Sequence, residues 1–343
     1  MPIPAYVDTD VAPGGAGTSG DPYSTLNEWD GADAGSISGQ GECFTYWTGA
    51  TANGTVTLST DWTGESASDF VHVLGDSQSI LRDQTTAWIN VDPDTDTFGI
   101  RCDNDFFVFE GFQIAIGDST TGTLSGIWIN GTDGVMINVM IYANVSSRIS
   151  TSGTVRGFEG AYKNSTYLIN CTAVRLPCGF YSNTNGLGDG MIQYNCLAYD
   201  CAEGFDGNTG KELVINCIAQ ACTDGFNTCT NSSDTNNTSD IASDAPTTNG
   251  EQVTLSFTNP GYAAGDDYHL TSSDSTALGA GADLSSDAIY PFSTDGEGDS
   301  RSSWFRGPDE YTGASAALLV HLAGKGGLCG AGGLAGPHGG LGG

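Results

Sequence analysis

The chain has 343 residues and carries 41 Asp plus Glu against ten Lys plus Arg, a net charge of -31. That balance excludes nucleic acid as a partner, because phosphate binding relies on Lys and Arg to neutralise the backbone, and it disfavours anionic membrane surfaces. Fifty glycines, about double the usual share, occur with abundant Ser, Thr, Asn and Asp and point to many turns and little helix.

The first residues, MPIPAYVDTDVAPGG, lack the basic and apolar regions of a secretory signal. The longest apolar stretch, SAALLVHLAG (315–324), is too short to cross a bilayer, so the sequence predicts cytoplasmic synthesis and no membrane insertion. Residues 1–40 read as a lead-in and cap, and Thr25 with Glu28 has the spacing of a capping box, which predicts a short helix. Trp47, Trp62, Trp88 and Trp128 are candidate glycan platforms, since their rings offer apolar faces with polar edges; core packing is the competing reading. The stretch DPDTD places Asp92, Asp94 and Asp96 on alternate residues, as a calcium turn would. Thr97 stands where an EF-hand requires Gly, and an acidic surface loop is the alternative. No cofactor is required, and calcium is the one this pattern offers.

Cysteine spacing reveals a repeat. LINCTAVRLPCGF (168–180), QYNCLAYDCAEGF (193–205) and VINCIAQACTDGF (214–226) align, with steps of 25 and 21 residues. VMINVMIYAN places Asn138 and Val139 in the same register, and VFEGFQIAIG places Gly111 and Phe112 there. A repeat of this length with period-two alternation predicts a solenoid of short strands. Stacked coils would bring Asn138, Asn170, Asn195 and Asn216 into an amide ladder at an inner corner, and Cys171, Cys196 and Cys217 into an inner stack. Core packing fits these cysteines better than metal or disulfide chemistry, because no Cys-x-x-Cys occurs and stacked parallel neighbours point their Cβ atoms poorly for bridging.

Glu203 and Asp224 each precede a Gly-Phe pair and should be neighbours on adjacent coils, with Asp200 and Asp206 close by in sequence. These four are the candidate catalytic carboxylates, since glycoside hydrolysis needs two carboxyls about 5–5.5 Å apart for retention or about 6.5–9.5 Å apart for inversion. Solvated turns are the simpler explanation. Basic residues in the repeat are scarce (Arg148, Arg156, Lys163, Arg175, Lys211), and none recurs beside an Asp cluster, which argues against an elimination reaction. No nucleotide-binding glycine fingerprint, nucleophile elbow or HExxH motif is present.

In the final segment, 312–343, glycines including Gly327, Gly330, Gly333 and Gly336 fall on a three-residue step, and Leu322, Leu328 and Leu334 repeat every six. Three residues per turn matches polyproline-II-type helices, which find backbone partners only between chains. The segment is expected to assemble a homo-oligomer, read as a trimer, or to grip a partner; a flexible linker is the alternative.

YVDTDVAPGGAGTSGDPYSTLNEW (6–29), FTNPGYAAGDDYHLTSSDSTALGAGADL (257–284) and TDGEGDSRSSWFRGPDEY (294–311) resemble the first and last parts of right-handed parallel β-helix proteins of the pectate-lyase-like superfamily. Arg306, Gly307 and Pro308 depart from the family's usual closing residues. The glycine-rich ending is similar to those of phage tail fibres and adhesins. The resemblance implies an all-β fold: a right-handed single-stranded parallel β-helix over 41–311, with the short cap before it and the extended tail after it. This fold hosts lyases, hydrolases, tailspikes and adhesins, so it does not select a chemistry. The expected function is a non-enzymatic virion structural protein, a phage fibre, spike or capsid decoration, on the virion surface beside other virion proteins and touching host-surface polysaccharide. The alternatives are a polysaccharide depolymerase (lyase or glycoside hydrolase) and a bacterial surface adhesin.

Overall fold

A computed structural model describes residues 5–309 apart from 9–11, 34, 37–42, 49–51, 54, 59–61, 64, 67, 76–88, 93–95, 119–122, 146, 150–153, 162–165, 184–189, 208–211, 247, 261–265, 275–279, 289 and 302–303. For 43–48, 52–53 and 161 only the backbone is described. The tail residues named above, and the expected tail as a whole, lie outside the described residues.

The chain forms a right-handed parallel β-helix. Strands of successive coils pair in parallel into a 15-stranded and a 7-stranded sheet. The first strand, Ala5–Asp8, already pairs in parallel with Cys43–Thr48. Between them stands the expected helix, Leu26–Asp33. Thr25 Oγ1 accepts from Glu28 N at 3.0 Å, and Glu28 reaches back to accept from Ser24 N at 2.8 Å and Gly14 N at 2.6 Å. Those backbone donors hold the Glu28 carboxyl below its ordinary pKa.

The larger sheet bends along one column. Gly111, Asn138, Asn170, Asn195 and Asn216 are in register and all have positive φ, +52° to +59° for the asparagines. Asn tolerates the left-handed region better than other side-chain-bearing residues, which explains its recurrence at this corner. The amide ladder forms in two pieces, Asn170 to Asn138 and Asn216 to Asn195, each at 3.2 Å. It does not point into the coil as expected. The remaining amides reach outward to the backbone of a later segment: Asn195 to Phe305 O and Gly307 O at 3.0 Å, Asn216 to Ala282 O at 2.9 Å, Asn236 to Ala280 O at 2.7 Å.

The residue after each Asn turns inward. Cys171, Cys196 and Cys217 form the expected inner stack, each thiol donating to a carbonyl of the preceding coil at 3.3–3.6 Å. All eight described cysteines are free, and burial pushes the Cys196 thiol well up, so it packs as a small apolar group.

Coils continue to the strand Glu251–Gln252, and the chain then doubles back over the outside of the large sheet. The antiparallel pair Phe257–Asn259 and Asp267–Leu270 covers Met140, Tyr142, Val174, Leu197 and Ile218. Leu284, Tyr290, Phe292 and Trp304 cover Tyr167, Ile169, Ile192 and Tyr194. Buried ions fasten this strap. Arg175 binds Asp266 at 2.9 Å, and Arg306 binds Thr238 at 2.7 Å and Glu251 at 3.0 Å. Burial opposes charge on His269, but hydrogen bonds to Asp267 and Glu297 outweigh it and push its pKa up to about 10.

Candidate functional site

The seven-stranded sheet has no such cover among the described residues. Its strands are Val56–Leu58, Phe98–Cys102, Leu124–Ile129, Val155–Ala161, Cys178–Asn183, Glu203–Asp206 and Asp224–Asn227. Six of them repeat a four-residue phrase: FGIR (98–101), SGIW (125–128), RGFE (156–159), CGFY (178–181), EGFD (203–206) and DGFN (224–227). The third residue points into the coil, where Phe158, Phe180, Phe205 and Phe226 stack with centroids 4.7–4.9 Å apart. The glycine permits close approach. A Cβ on Gly179 or Gly204 would sit 2.7 or 2.6 Å from the carbonyl oxygen of the next glycine in the column.

The first and fourth residues face outward in two columns, Phe98–Ser125–Arg156–Cys178–Glu203–Asp224 and Arg101–Trp128–Glu159–Tyr181–Asp206–Asn227. Rungs are roughly 4.8 Å apart. At one end Arg101 lies 4.7 Å from the Trp128 ring and pairs with Asp103 at 2.8 Å. In the middle, Glu159 accepts from Ser125 Oγ and from Arg156 Nη1 at 2.5 Å, and the Arg156 guanidinium lies 3.5 Å over the Tyr181 ring. At the other end Cys178, Glu203 and Asp206 bring ligand-type atoms within 4.8 Å of one another.

Burial, then the charges of Asp206 and Asp224 and a hydrogen bond to Asp206, push the Glu203 carboxyl up. Burial, then Asp244, pushes Asp224 up as well. Asp244 also accepts from Gly225 N at 3.3 Å and Phe226 N at 3.2 Å, so its carboxylate caps the last strand's open edge. Asn27 of the helix does the same at the other end, accepting from Thr57 N at 2.8 Å and donating to Thr55 O at 2.9 Å.

Glu203 and Asp224 are therefore rung neighbours, as expected, and Asp206 joins them. Asp200 does not. It lies at a different corner, where Arg148 reaches it at 2.9 Å and Arg175 at 3.9 Å. Trp128 is half-buried on the open face. Trp62 is 4% exposed, packs tilted against Trp29 with ring centroids 5.3 Å apart and donates to Asp30 at 2.6 Å, so it is buried in the cap rather than presented to a glycan. Trp88 and the Trp47 side chain lie outside the described residues.

Asp94 also lies outside them. The flanking carboxylate of Asp96 accepts from Asp92 N at 3.0 Å across the turn. Among the described residues, metal-ligand geometry falls on Cys178, Glu203 and Asp206. This set suits calcium poorly. Calcium takes oxygen ligands, whereas burial pushes the Cys178 thiol well up and keeps it protonated.

Arg156 corrects the expectation that no basic residue recurs beside the acids, because it occupies the same column as Glu203, two rungs away. Arg156, Glu159 and Tyr181 escaped the cysteine-based alignment, and Cys178 fell within it without being singled out. The x-Gly-Ile/Phe-x phrase was the signal that would have found them.

Among solved structures, a rhamnogalacturonan lyase is similar, with a TM-score of 0.44 and 15% identity; the match covers 64% of this chain and 57% of that one. The chain thus spans little more than half the length of that protein. The sequence matches no family model and no curated protein.

Proposed function

We propose that the protein is a polysaccharide-binding β-helix whose binding surface is the outer face of the seven-stranded sheet. One observation carries this reading: the chain seals the large sheet with its own strap, while no described residue covers the sheet that presents Trp128, Tyr181, Glu203, Asp206 and Asp224 in register. Rings supply stacking surfaces for sugars, and carboxylates accept from their hydroxyls.

Binding fits better than cleavage. Glu203 and Asp224 are both pushed up by burial and by neighbouring carboxylates. Elimination needs a free base, and Arg156 is held by Glu159 and Tyr181. Depolymerisation remains the second reading because Glu203 and Asp224 are rung neighbours at roughly the spacing retention requires. Incubating the full-length protein with polysaccharides that it binds, and measuring chain length and new ends, separates the two. Unchanged chains support binding alone. Cleavage lost in Glu203→Gln and Asp224→Asn, with retained folding, would install the enzyme in its place.

The acidic composition and period-three glycines support a further placement: a homo-oligomer, as a trimer, on a virion surface with other virion proteins, touching host-surface polysaccharide. A bacterial surface adhesin is the alternative.

A further inference from the structure

We infer that the coil corner holding Glu212 is a proton-controlled latch. Protonated, the Glu212 side chain stays inside and shields the Cys229 thiol; ionised, it leaves the interior and opens that thiol to solvent. The inference goes beyond glycan binding and does not depend on it. Glu212 stands one residue before the strand Leu213–Ile215. Its side chain packs onto Gly207, which directly follows the strand Glu203–Asp206; a Cβ on Gly207 would lie 2.1 Å from Glu212 Oε1. Glu212 is fully buried, and neither carboxyl oxygen has a hydrogen-bond partner among the described residues. Asp234, also buried, is in a similar position: its Oδ1 accepts from Val214 N at 2.9 Å, while its Oδ2 has no partner among the described residues. Buried acids elsewhere meet donors. Asp30 accepts from Trp62 at 2.6 Å, Asp274 from Ser256 N at 2.9 Å and Asp309 from Leu270 N at 2.9 Å.

An ionised carboxylate kept inside without a donor is costly, so the interior position belongs to the neutral acid. Burial is the main pressure on Glu212, and the charges of Asp234 and, more weakly, Asp206 add to it. Its own backbone N–H and the nearby Cys229 thiol offset part of this, and the net result is a carboxyl pushed from 4.5 up to about 7. Asp234, pushed up to about 6 by burial, acts in the same sense. A group that holds its proton when inside and releases it when outside closes the corner fully below pH 4.5; closure then weakens as pH rises to about 7. Cys229 is 8% exposed, with its thiol donating to Phe205 O and Asn227 O at 3.6 Å. Burial and then the Glu212 charge push that thiol well up, so it lies against the latch as a neutral group. Cys217, in the inner cysteine stack, is wholly buried and serves as the comparison.

Pulse alkylation of the native full-length protein with iodoacetamide, resolved by residue with mass spectrometry, tests the latch between about pH 5.5 and 8.5, either side of the Glu212 pKa. The reading is the rate at Cys229 divided by the rate at Cys217, which cancels the thiol chemistry common to both. The ratio should rise roughly tenfold or more across that range in the parent and stay within about twofold in Glu212→Gln, which keeps the shape without the titration. Asp234→Asn should keep most of the rise. A flat ratio in the parent overturns the latch, and so does a rise at Cys217 that keeps pace with Cys229, because the whole fold is then what opens. An undiminished rise in folded Glu212→Gln overturns the assignment to Glu212. If Glu212→Gln does not fold, the parental ratio decides alone, a rise supporting the latch and a flat ratio removing it.

Discussion

Glu212 shows how much a single buried group governs. It is 0% exposed, and neither carboxylate oxygen has a hydrogen-bond partner among the described residues. Gly207 makes room for it, since a Cβ there would lie 2.1 Å from Glu212 Oε1. Burial, with a smaller push from Asp234, raises its pKa to about 7. The folded state therefore holds a proton that the unfolded chain releases near pH 4.5. The associated stability is complete below pH 4.5 and is lost as pH rises to about 7, on the order of 3 kcal/mol in all. Glu212→Gln keeps the shape and removes the titration. It should be more stable than the parent at pH 8 and show far less difference at pH 4.5, read from urea midpoints at the two pH values. Equal differences at both would show that Glu212 is ionised in the fold.

At the scale of elements, the phenylalanine column and the strap carry the architecture. Phe205 stacks between Phe180 and Phe226 at 4.7 and 4.9 Å, so Phe205→Ala opens a cavity with rings on both sides. The expected cost is about 3–5 kcal/mol in chemical denaturation, and less than about 1 kcal/mol would mean the column repacks freely. Arg175 is buried against a wholly buried Asp266 in the strap. Arg175→Ala leaves that carboxylate without its partner and should destabilise by about 3–5 kcal/mol, whereas Arg175→Met with Asp266→Leu should recover most of the loss. Amide exchange over 257–270 follows it: strap amides should exchange faster in Arg175→Ala alone and return to the parental rate in the double variant.

The same elements show why some of the fold was legible in sequence and some was not. Asn138, Asn170, Asn195 and Asn216 could be aligned because a left-handed corner admits few side chains, so one residue type recurs. Cys171, Cys196 and Cys217 could be aligned because small inner positions are similarly restrictive. The outward columns impose no such restriction. Arg156, Cys178, Glu203 and Asp224 share a position while differing in charge and size, so only the invariant glycine beside them marks the place. The sequence of the strap predicts further coils up to 311, because alternation within a strand does not reveal which surface it covers. Trp62 and Trp128 looked equivalent as residue types; only the coil geometry buries one in the cap and leaves the other on the open sheet.

For the whole molecule, two sheets of one solenoid have different fates: one is sealed by the chain's own return, the other is left uncovered by any described residue. Assembly through 312–343 is a separate proposal and is tested by light scattering of the full chain beside a version stopped at Gly313. The expected result is a trimer that becomes a monomer on truncation; two monomers would remove self-assembly. The binding claim is tested most directly by calorimetric titration of a bound glycan against Trp128→Ala/Tyr181→Ala, with Trp62→Phe as the comparison. The account predicts that the double variant loses roughly 30-fold or more in affinity, since central aromatic anchors each contribute on the order of 2 kcal/mol or more at a binding face, while Trp62→Phe binds as the parent does. Undiminished affinity in a folded double variant would contradict it and move the ligand off this sheet.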